Sequence, residues 1–586
     1  MSRTIKVSSP DLEIRAEDGE RLSDRLLAAG IPISVYCDKR GLCGKCFVEV
    51  VSGSLPPPGN KEAAWIQQKS LGENFRLACQ YEIAGDLEIN VPAAFTVRPV
   101  PILPEIPRSF VAPDPAVRMY ELDLARPEIS SPASLFDLIA EGLGLEGLRI
   151  PAGLLKNLPA VVEKGGFRVT VAVHLDKEIV AVVPGSASGL NFGLAVDVGT
   201  TTLVMDLLDL DSGKTIDTEA ALNSQVRCGA DVISRITYAY GHPGKAVELR
   251  DLVLGTLNEM VGRLLGRSKV PPESVHEVVI SGNTVMSHLI LGVPVDSLAT
   301  APYQAVFSRA PVVPASQAGL AVNPHAPVYF SPNIKSFVGG DISSGLLASR
   351  MAGNDGHFLL IDLGTNGEIV LKAGRELITT STAAGPAFEG MNISCGMPAL
   401  PGAVYRARDD GTIELWAVGG GTATGICGTG LIDIAAIALA RGDVSSSGAI
   451  RNADKKIRVT ETLSLTQDDI RQLQLACAAV KSGVRIMLAQ SGLAAADLSG
   501  IYIAGAFGSY LNIPNSMSVG LLPSIDAKKL IFIGNSSLAG ARLLLQSKGE
   551  RETVEALVHG IRYLSLASDP GFQDQFIDAL DFGPWA

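Results

Sequence analysis

The sequence predicts a multidomain chain, α+β at its N-terminal end and α/β over the remainder. Three observations carry this. A chain of 586 residues exceeds what one hydrophobic core supports, so roughly three or four compact units are expected. Six prolines between Pro99 and Pro115, in RPVPILPEIPRSFVAPDP, forbid helix and favour an extended, semi-rigid spacer. From Gly193 onward, short apolar strands alternate with helical segments, as in layered α/β domains.

Before the spacer, TIKV and LEIRA are expected as a strand pair, and ERLSDRLLAAG as a short helix with Leu22, Leu26 and Leu27 on one face. CFVEVV and DLEINV follow as strands, giving an α+β unit over residues 1–93. The spacer is assigned to 94–118. After it, SPASLFDLIAEGLGL and PAGLLKNLPAVVEKGG read as helices, and FRVTVAVHLDKEIVAVV as a hairpin turning at Asp176-Lys177. These form a small α/β middle domain over 119–188, and residues 189–586 hold the large α/β part.

Composition narrows the function. The chain is 47% hydrophobic and 5% aromatic, with 61 glycines and a mean hydropathy of +0.26, which suits Val/Ile/Leu strands joined by small-residue turns. A net charge of -12 without a Lys/Arg-rich run argues against nucleic acid. No window of 18 uninterrupted apolar residues and no secretory-type N-terminus is present, so no membrane contact and a cytoplasmic location are expected.

Half of the eight cysteines sit early, as C-x5-C-x2-C (Cys37, Cys43, Cys46) followed by Cys79. Three thiolates on a tight loop containing Gly41 and Gly44, with a fourth from a distant strand, suit a 2Fe-2S cluster. A structural zinc fits worse, because such sites use two close pairs and no histidine occurs in residues 1–100. Asp38, Lys39, Arg40 and Lys45 leave this loop with a net charge of +2, read as a solvated face.

Two later segments resemble each other: LAVDVGTTTLVMDL from Leu194 and LLIDLGTNGEIVLK from Leu359. Each is an apolar strand ending in Asp, a Gly-Thr turn and a second strand. A repeat of about 165 residues is too long for a solenoid and predicts two related lobes. The amides and hydroxyls of Gly199, Thr200, Thr201 and Thr202 in one turn, and of Gly364, Thr365 and Asn366 in the other, suit phosphate oxygens. Asp197 and Asp362, one from each lobe, are expected to hold Mg²⁺ directly or through water and to orient the attacking water. In GAFGSYLN, Gly505, Ala506, Phe507 and Gly508 would let the backbone lie against adenine and ribose. LDLDSGKT is no Walker loop, since Leu208 stands where the first glycine is needed.

On these motifs, residues 1–93 resemble the plant-type and adrenodoxin-type ferredoxins, with the x5 gap of the adrenodoxin branch. Residues 193–586 resemble the superfamily of acetate and sugar kinases, heat-shock chaperones and actin: DVGTTT, the connecting helix GGDISSGLLA, DLGTNGE, GAFGSY and a second connecting helix GNSSLAGAR occur in that order. The whole chain, with AVDVGTTT, SGNTVMSHL, AAGPAFEGMNIS, GICGTGLID and YIAGAFGSYLN, resembles the ATP-dependent reductive activators of corrinoid proteins.

The resemblance implies a β-grasp ferredoxin domain, a small α/β middle domain and a two-lobed RNase H-like ATPase of the actin and hexokinase type. It implies a 2Fe-2S cluster, ATP and Mg²⁺ as cofactors. Its implied partners are a corrinoid protein whose Co(II) is returned to Co(I) and an upstream electron donor, and the chain itself is implied to be a homodimer. It also implies a nucleotide role for Gly428 and Gly430 in GICGTG. Glu389 and Asp341, carboxylates in Gly-rich turns, suit Mg²⁺ or water, and equally suit turn capping. Cys395 and Cys427 are read as packing residues rather than ligands of a second cluster. No Asp-x-His-x-x-Gly string is present, so the cobalt is expected on a partner. Alternatives are an electron-injecting activator of another metalloenzyme, of the 2-hydroxyacyl-CoA dehydratase type, or a redox-sensing chaperone-like ATPase.

Overall fold

A computed structural model describes the chain at all positions other than 1, 9–10, 30, 32, 34–40, 42–43, 45, 69–70, 93–111, 127–132, 188, 365, 506–510 and 586. Most of the cysteine loop, including Cys37 and Cys43, and the spacer up to residue 111 lie outside the described residues.

At the N-terminal end, strands Ser2–Ser8 and Asp11–Glu17 pair antiparallel, with Ile5 opposite Ile14. The first of them also pairs parallel with Leu87–Asn90, which is antiparallel to Phe47–Gly53, and Phe75–Leu77 closes the five-stranded sheet. Leu22 and Leu26, one turn apart on helix Leu22–Ala28, are fully buried against this sheet beside Ile5, Phe47 and Leu77. Each such leucine contributes about 2 kcal/mol by leaving water. This mixed sheet with one helix across it is the β-grasp arrangement.

In the middle domain, strand Val117–Asp123 lies antiparallel to Arg168–His174, which pairs with Glu178–Pro184. Helices Leu135–Leu143 and Ala152–Lys164 bury Ile139, Leu158 and Val162 against it. The hairpin turn differs from expectation by one residue. Leu175 and Asp176 occupy the left-handed positions, with φ of 50° and 56°, and the Lys177 N–H donates to the His174 carbonyl at 3.0 Å. A two-residue turn that matches strand twist needs positive φ at both central positions, and this register supplies them.

The remainder forms the two predicted lobes. In the first, strands run in the order 215–222, 202–209, 192–198, 275–282, 327–330, 312–314; in the second, 376–382, 367–373, 358–363, 500–504, 530–534, with 561–563 added beside 376–382. Each lobe therefore has an antiparallel meander followed by two parallel strands on the far side of its first strand, and in the first lobe 312–314 adds an antiparallel edge. The internal repeat in the sequence is this shared topology.

Two helices cross between the lobes. Helix Gly340–Ser349 is entered from the first lobe, yet Ile342 and Leu346 pack with Leu360, Val370, Tyr502 and Ile533 of the second. Helix Ser536–Gln546 is entered from the second lobe, yet Leu538, Ala541 and Leu544 pack with Ala195, Leu208, Val279 and Tyr329 of the first. Gly540 permits the crossing, because a Cβ there would stand 2.2 Å from the Ser344 carbonyl oxygen. Among the described residues, no helix is long and apolar enough to cross a membrane.

The middle domain seats on the first lobe around a buried polar knot. The Arg551 guanidinium donates to Glu277 at 2.7 Å and covers the Tyr329 ring, and the His174 imidazole lies 3.9 Å from Glu277. Burial holds His174, and likewise His276, at a pKa of about 4. Because the unfolded chain takes up these protons near pH 6.5 and the folded chain does not, stability is intact above that value and falls as pH drops from 6.5 towards 4. At pH 5 each histidine should cost about 2 kcal/mol. Melting curves at pH 7 and pH 5 should show the loss, and His276→Gln should reduce it.

Candidate functional site

Two sites are built by these elements. In the β-grasp domain, Cys46 precedes strand Phe47–Gly53 and Cys79 follows strand Phe75–Leu77. The pairing of Phe47 with Leu77 brings them together, and the Ala78 N–H donates to the Cys46 carbonyl at 2.8 Å. Both thiols are fully buried. Gly41 and Gly44 have φ of +69° and +58°, and a Cβ on Gly44 would press into the Trp65 ring at 2.6 Å. The Gln80 amide donates to Cys79 Sγ at 3.6 Å, a contact that the spacing of cysteines does not reveal. Buried thiols, a glycine cradle and an N–H···S donor fit a 2Fe-2S cluster.

The second site is the cleft between the lobes. Asp197 and Asp362 stand near the ends of the equivalent strands Phe192–Val198 and Phe358–Leu363. Gly199 closes the first turn with its N–H on the Thr202 carbonyl at 3.1 Å, and a Cβ there would meet that oxygen at 2.5 Å. In the second turn the Gly364 N–H donates to the Asn366 carbonyl at 3.1 Å. Gly505, at φ +91°, sits directly over this strand end, where a Cβ would lie 3.0 Å from Asp362 Oδ1. Thr365, Ala506, Phe507 and Gly508 lie outside the described residues.

Four carboxyl groups share the cleft. Burial first, then the charges of Asp341 and Asp197, push Asp362 up to about 7. Burial and Asp197 push Asp341 up to about 7. Buried Glu368, on strand Gly367–Ala373, is raised well above the usual carboxylate range by burial, Asp341 and Asp362, and Asp197 is raised by burial. Such mutual repulsion at one locus is what a divalent cation relieves, although no described trio is placed to chelate one by itself. Glu389 reaches across the cleft and accepts a hydrogen bond from Thr201 Oγ1 at 3.1 Å. Gly428 opens helix Gly428–Arg441, and Gly430 lets that helix lie against strand Ala403–Asp409, since a Cβ at Gly430 would stand 2.1 Å from the Val404 carbonyl oxygen.

Residues not singled out in the sequence complete the site. Asn283 caps helix Thr284–Leu291 by accepting from the Met286 N–H at 3.0 Å and donates to Thr200 Oγ1 at 3.1 Å. Asn535 caps helix Ser536–Gln546 by accepting from the Leu538 N–H at 2.9 Å and donates to Asp197 Oδ2 at 2.8 Å. Ser537 Oγ donates to Asp197 Oδ1 at 2.7 Å. The signal was a strand followed by Gly-Asn-Thr at 282–284 and Gly-Asn-Ser at 534–536: each asparagine spends its oxygen on the cap and its NH₂ on the site. Cys395 and Cys427 donate to the carbonyls of Ser464 and Val404, at 3.3 and 3.4 Å.

Ser537→Ala removes one of the two donors that fix Asp197. ATP hydrolysis should slow by about tenfold, the worth of one hydrogen bond to a charged group, while nucleotide affinity changes by less than about threefold. Steady-state hydrolysis and an equilibrium nucleotide titration check this.

Comparison with known proteins gives a consistent result. Residues 5–84 match the 2Fe-2S iron-sulfur cluster binding domain, 109–189 the RACo linker region, 192–354 the RACo middle region and 356–584 the C-terminal domain of RACo, the ASKHA domain. The last two meet between the lobes. The chain is 29% identical over 601 aligned positions to the corrinoid activation enzyme RamQ of Eubacterium limosum, covering 97% of this chain and 98% of that protein. It is 26% identical to the [Co(II) methylated amine-specific corrinoid protein] reductase of Methanosarcina barkeri, over 67% of this chain and 77% of that protein. A solved structure described as a reductive activator for corrinoid, iron-sulfur protein superposes with a TM-score of 0.74 at 34% identity, over 99% of this chain and 98% of that one.

Proposed function

The chain belongs to the family of reductive activators of corrinoid proteins, and on that premise we propose that it returns the Co(II) corrinoid of a partner protein to Co(I), one electron at a time, under control of ATP hydrolysis. The observation that carries the reading is the joining, in one chain, of a buried cysteine pair to a two-lobed cleft that gathers four mutually repelling carboxyl groups. A 2Fe-2S cluster, when bound, supplies a low-potential one-electron carrier. Cys37, Cys43, Cys46 and Cys79 would hold it.

In the cleft, the turns at Gly199–Thr202 and Gly364–Asn366 would take the phosphates, and Gly505 to Gly508 the adenosine. Asp197, held by Asn535 and Ser537, keeps one orientation and is suited to a Mg²⁺ ion or its water. Asp362, with its carboxyl pushed up to about 7, is suited to take a proton from the attacking water at neutral pH. Asp341 and Glu389 border the same ion and phosphate space.

Reduction of Co(II) to Co(I) is uphill from ordinary donors, and each tenfold unfavourable factor corresponds to about 59 mV for one electron. ATP helps only through different affinities for the open and closed states. Closure about the crossing of helices Gly340–Ser349 and Ser536–Gln546 is the two-state element we assign to it. The same reading includes an upstream electron donor, a homodimer and a cytoplasmic setting. Reduced protein mixed anaerobically with a Co(II) corrinoid protein should give an ATP-dependent rise of the Co(I) absorption band. Its absence with every corrinoid protein of the same cell would overturn the proposal.

A further inference from the structure

Beneath the first phosphate turn lies a charge that the chemistry above does not use. Arg235, on helix Val232–Ala239, is completely excluded from solvent, and among the described residues no carboxylate stands within ion-pair distance of it. Its guanidinium is engaged by neutral acceptors. Nε donates to the Gly229 carbonyl at 3.0 Å, Nη1 to Gln225 Oε1 at 2.9 Å and towards Met286 Sδ at 3.3 Å, and Nη2 to the Thr200 carbonyl. Burial lowers its pKa to about 9, which leaves it cationic at neutral pH, with Asp231 and Glu389 acting on it only from a distance. A buried, unpaired cation is costly, and a fold retains one where something answers it.

The backbone around it shows what that is. Three carbonyls of the turn are held by buried donors behind it: Gly199 O accepts from Asn223 Nδ2 at 3.0 Å, Thr200 O from Arg235, and Thr201 O from the Asn223 N–H at 2.8 Å. In a trans peptide the N–H points opposite to the C=O. Pinning the carbonyls of Gly199 and Thr200 inward therefore turns the N–H groups of Thr200 and Thr201 outward, to the cleft side. Asn223 would suffice as a neutral brace. The guanidinium adds a positive charge one peptide behind those amides, where it reinforces their attraction for an anion.

We infer that Arg235 is a positioning residue of the phosphate site: it braces the Gly199–Thr202 turn from behind and supplies positive charge that a polyphosphate answers and a nucleoside does not. The inference rests on the reading of that turn as a phosphate loop. A purely structural arginine would, on removal, weaken every ligand of the cleft alike, whereas this role makes the loss grow with the number of phosphates.

The test compares ATP, ADP and adenosine binding to the full chain by calorimetry, in the parent protein and in Arg235→Gln, which can still donate to Thr200 O but carries no charge. ATP affinity should fall by about tenfold or more, ADP affinity by less, and adenosine affinity by less than about twofold. Arg235→Lys, which keeps the charge without the planar fork, should lose less ATP affinity than Arg235→Gln. Where Arg235→Gln does not yield a cooperatively melting protein, Gln225→Glu, which sets a carboxylate against the intact guanidinium, is measured in the same way with the same expected order. Equal losses for the three ligands, or no loss, would overturn the inference while leaving the phosphate loop in place. Failure of the parent protein to bind ATP at all would instead overturn the reading of the loop.

Discussion

Asp362→Ala should lower ATP hydrolysis by about a thousandfold while leaving the cluster's absorption spectrum unchanged. The side chain stands at the end of the second lobe's first strand, with Gly505 set against it and Asp341, Asp197 and Glu368 acting on its charge. The same substitution should raise the melting temperature of the protein measured without Mg²⁺ or nucleotide. A carboxyl raised from its ordinary 3.8 to about 7 opposes folding at neutral pH, because the unfolded chain ionises it fully and the folded chain only in part. Removing it lifts that opposition, the exchange of stability for function expected at a site built from like charges. Hydrolysis at the parent rate would show that the second turn is not the phosphate site.

Cys46→Ser should do the converse, abolishing the visible absorption of the cluster and Co(I) formation while ATP affinity stays within about twofold of the parent. Cys46 is fully buried at the start of strand Phe47–Gly53, next to Cys79 through the pairing of Phe47 with Leu77. A serine hydroxyl there is both a poor ligand for iron and an unpaired polar group in an apolar core. Loss of cooperative melting in the β-grasp domain should therefore accompany loss of the cluster. The nucleotide cleft shares no element with this core, which is why its affinity should not follow.

Much of this site was legible in the chain because its signals are local. The Asp-x-Gly-Thr strings at Asp197 and Asp362, the glycines before the two crossing helices and the spacing of four cysteines are all contained in windows of ten residues or so, apart from Cys79. The repeat from Leu194 to Leu359 foretold two lobes, and the equivalent strand orders are its physical expression. What the sequence hid are side chains whose partners lie hundreds of residues away. Asn535 reads as a helix cap, which it is, but its second bond goes to Asp197, 338 residues earlier. Arg235 reads as one more polar position on a short helix, and only the folded chain puts it under Thr200. The seat of the middle domain, His174 with Glu277 and Arg551, joins three segments with no shared pattern. The hairpin turn at Leu175-Asp176 escaped for a smaller reason: Leu is a poor advertisement for positive φ, and the twist of the strands decided the register.

In this mechanism ATP at one end of the chain governs an electron leaving the other. Mixing the reduced protein with a Co(II) corrinoid protein in an anaerobic stopped-flow cell, with cluster reoxidation and Co(I) formation followed together, reads that coupling. Both signals should rise only with ATP, at equal rates and in one-to-one amounts, and Asp362→Ala should abolish both. Co(I) formed at the same rate without ATP, or without reoxidation of the cluster, would contradict it.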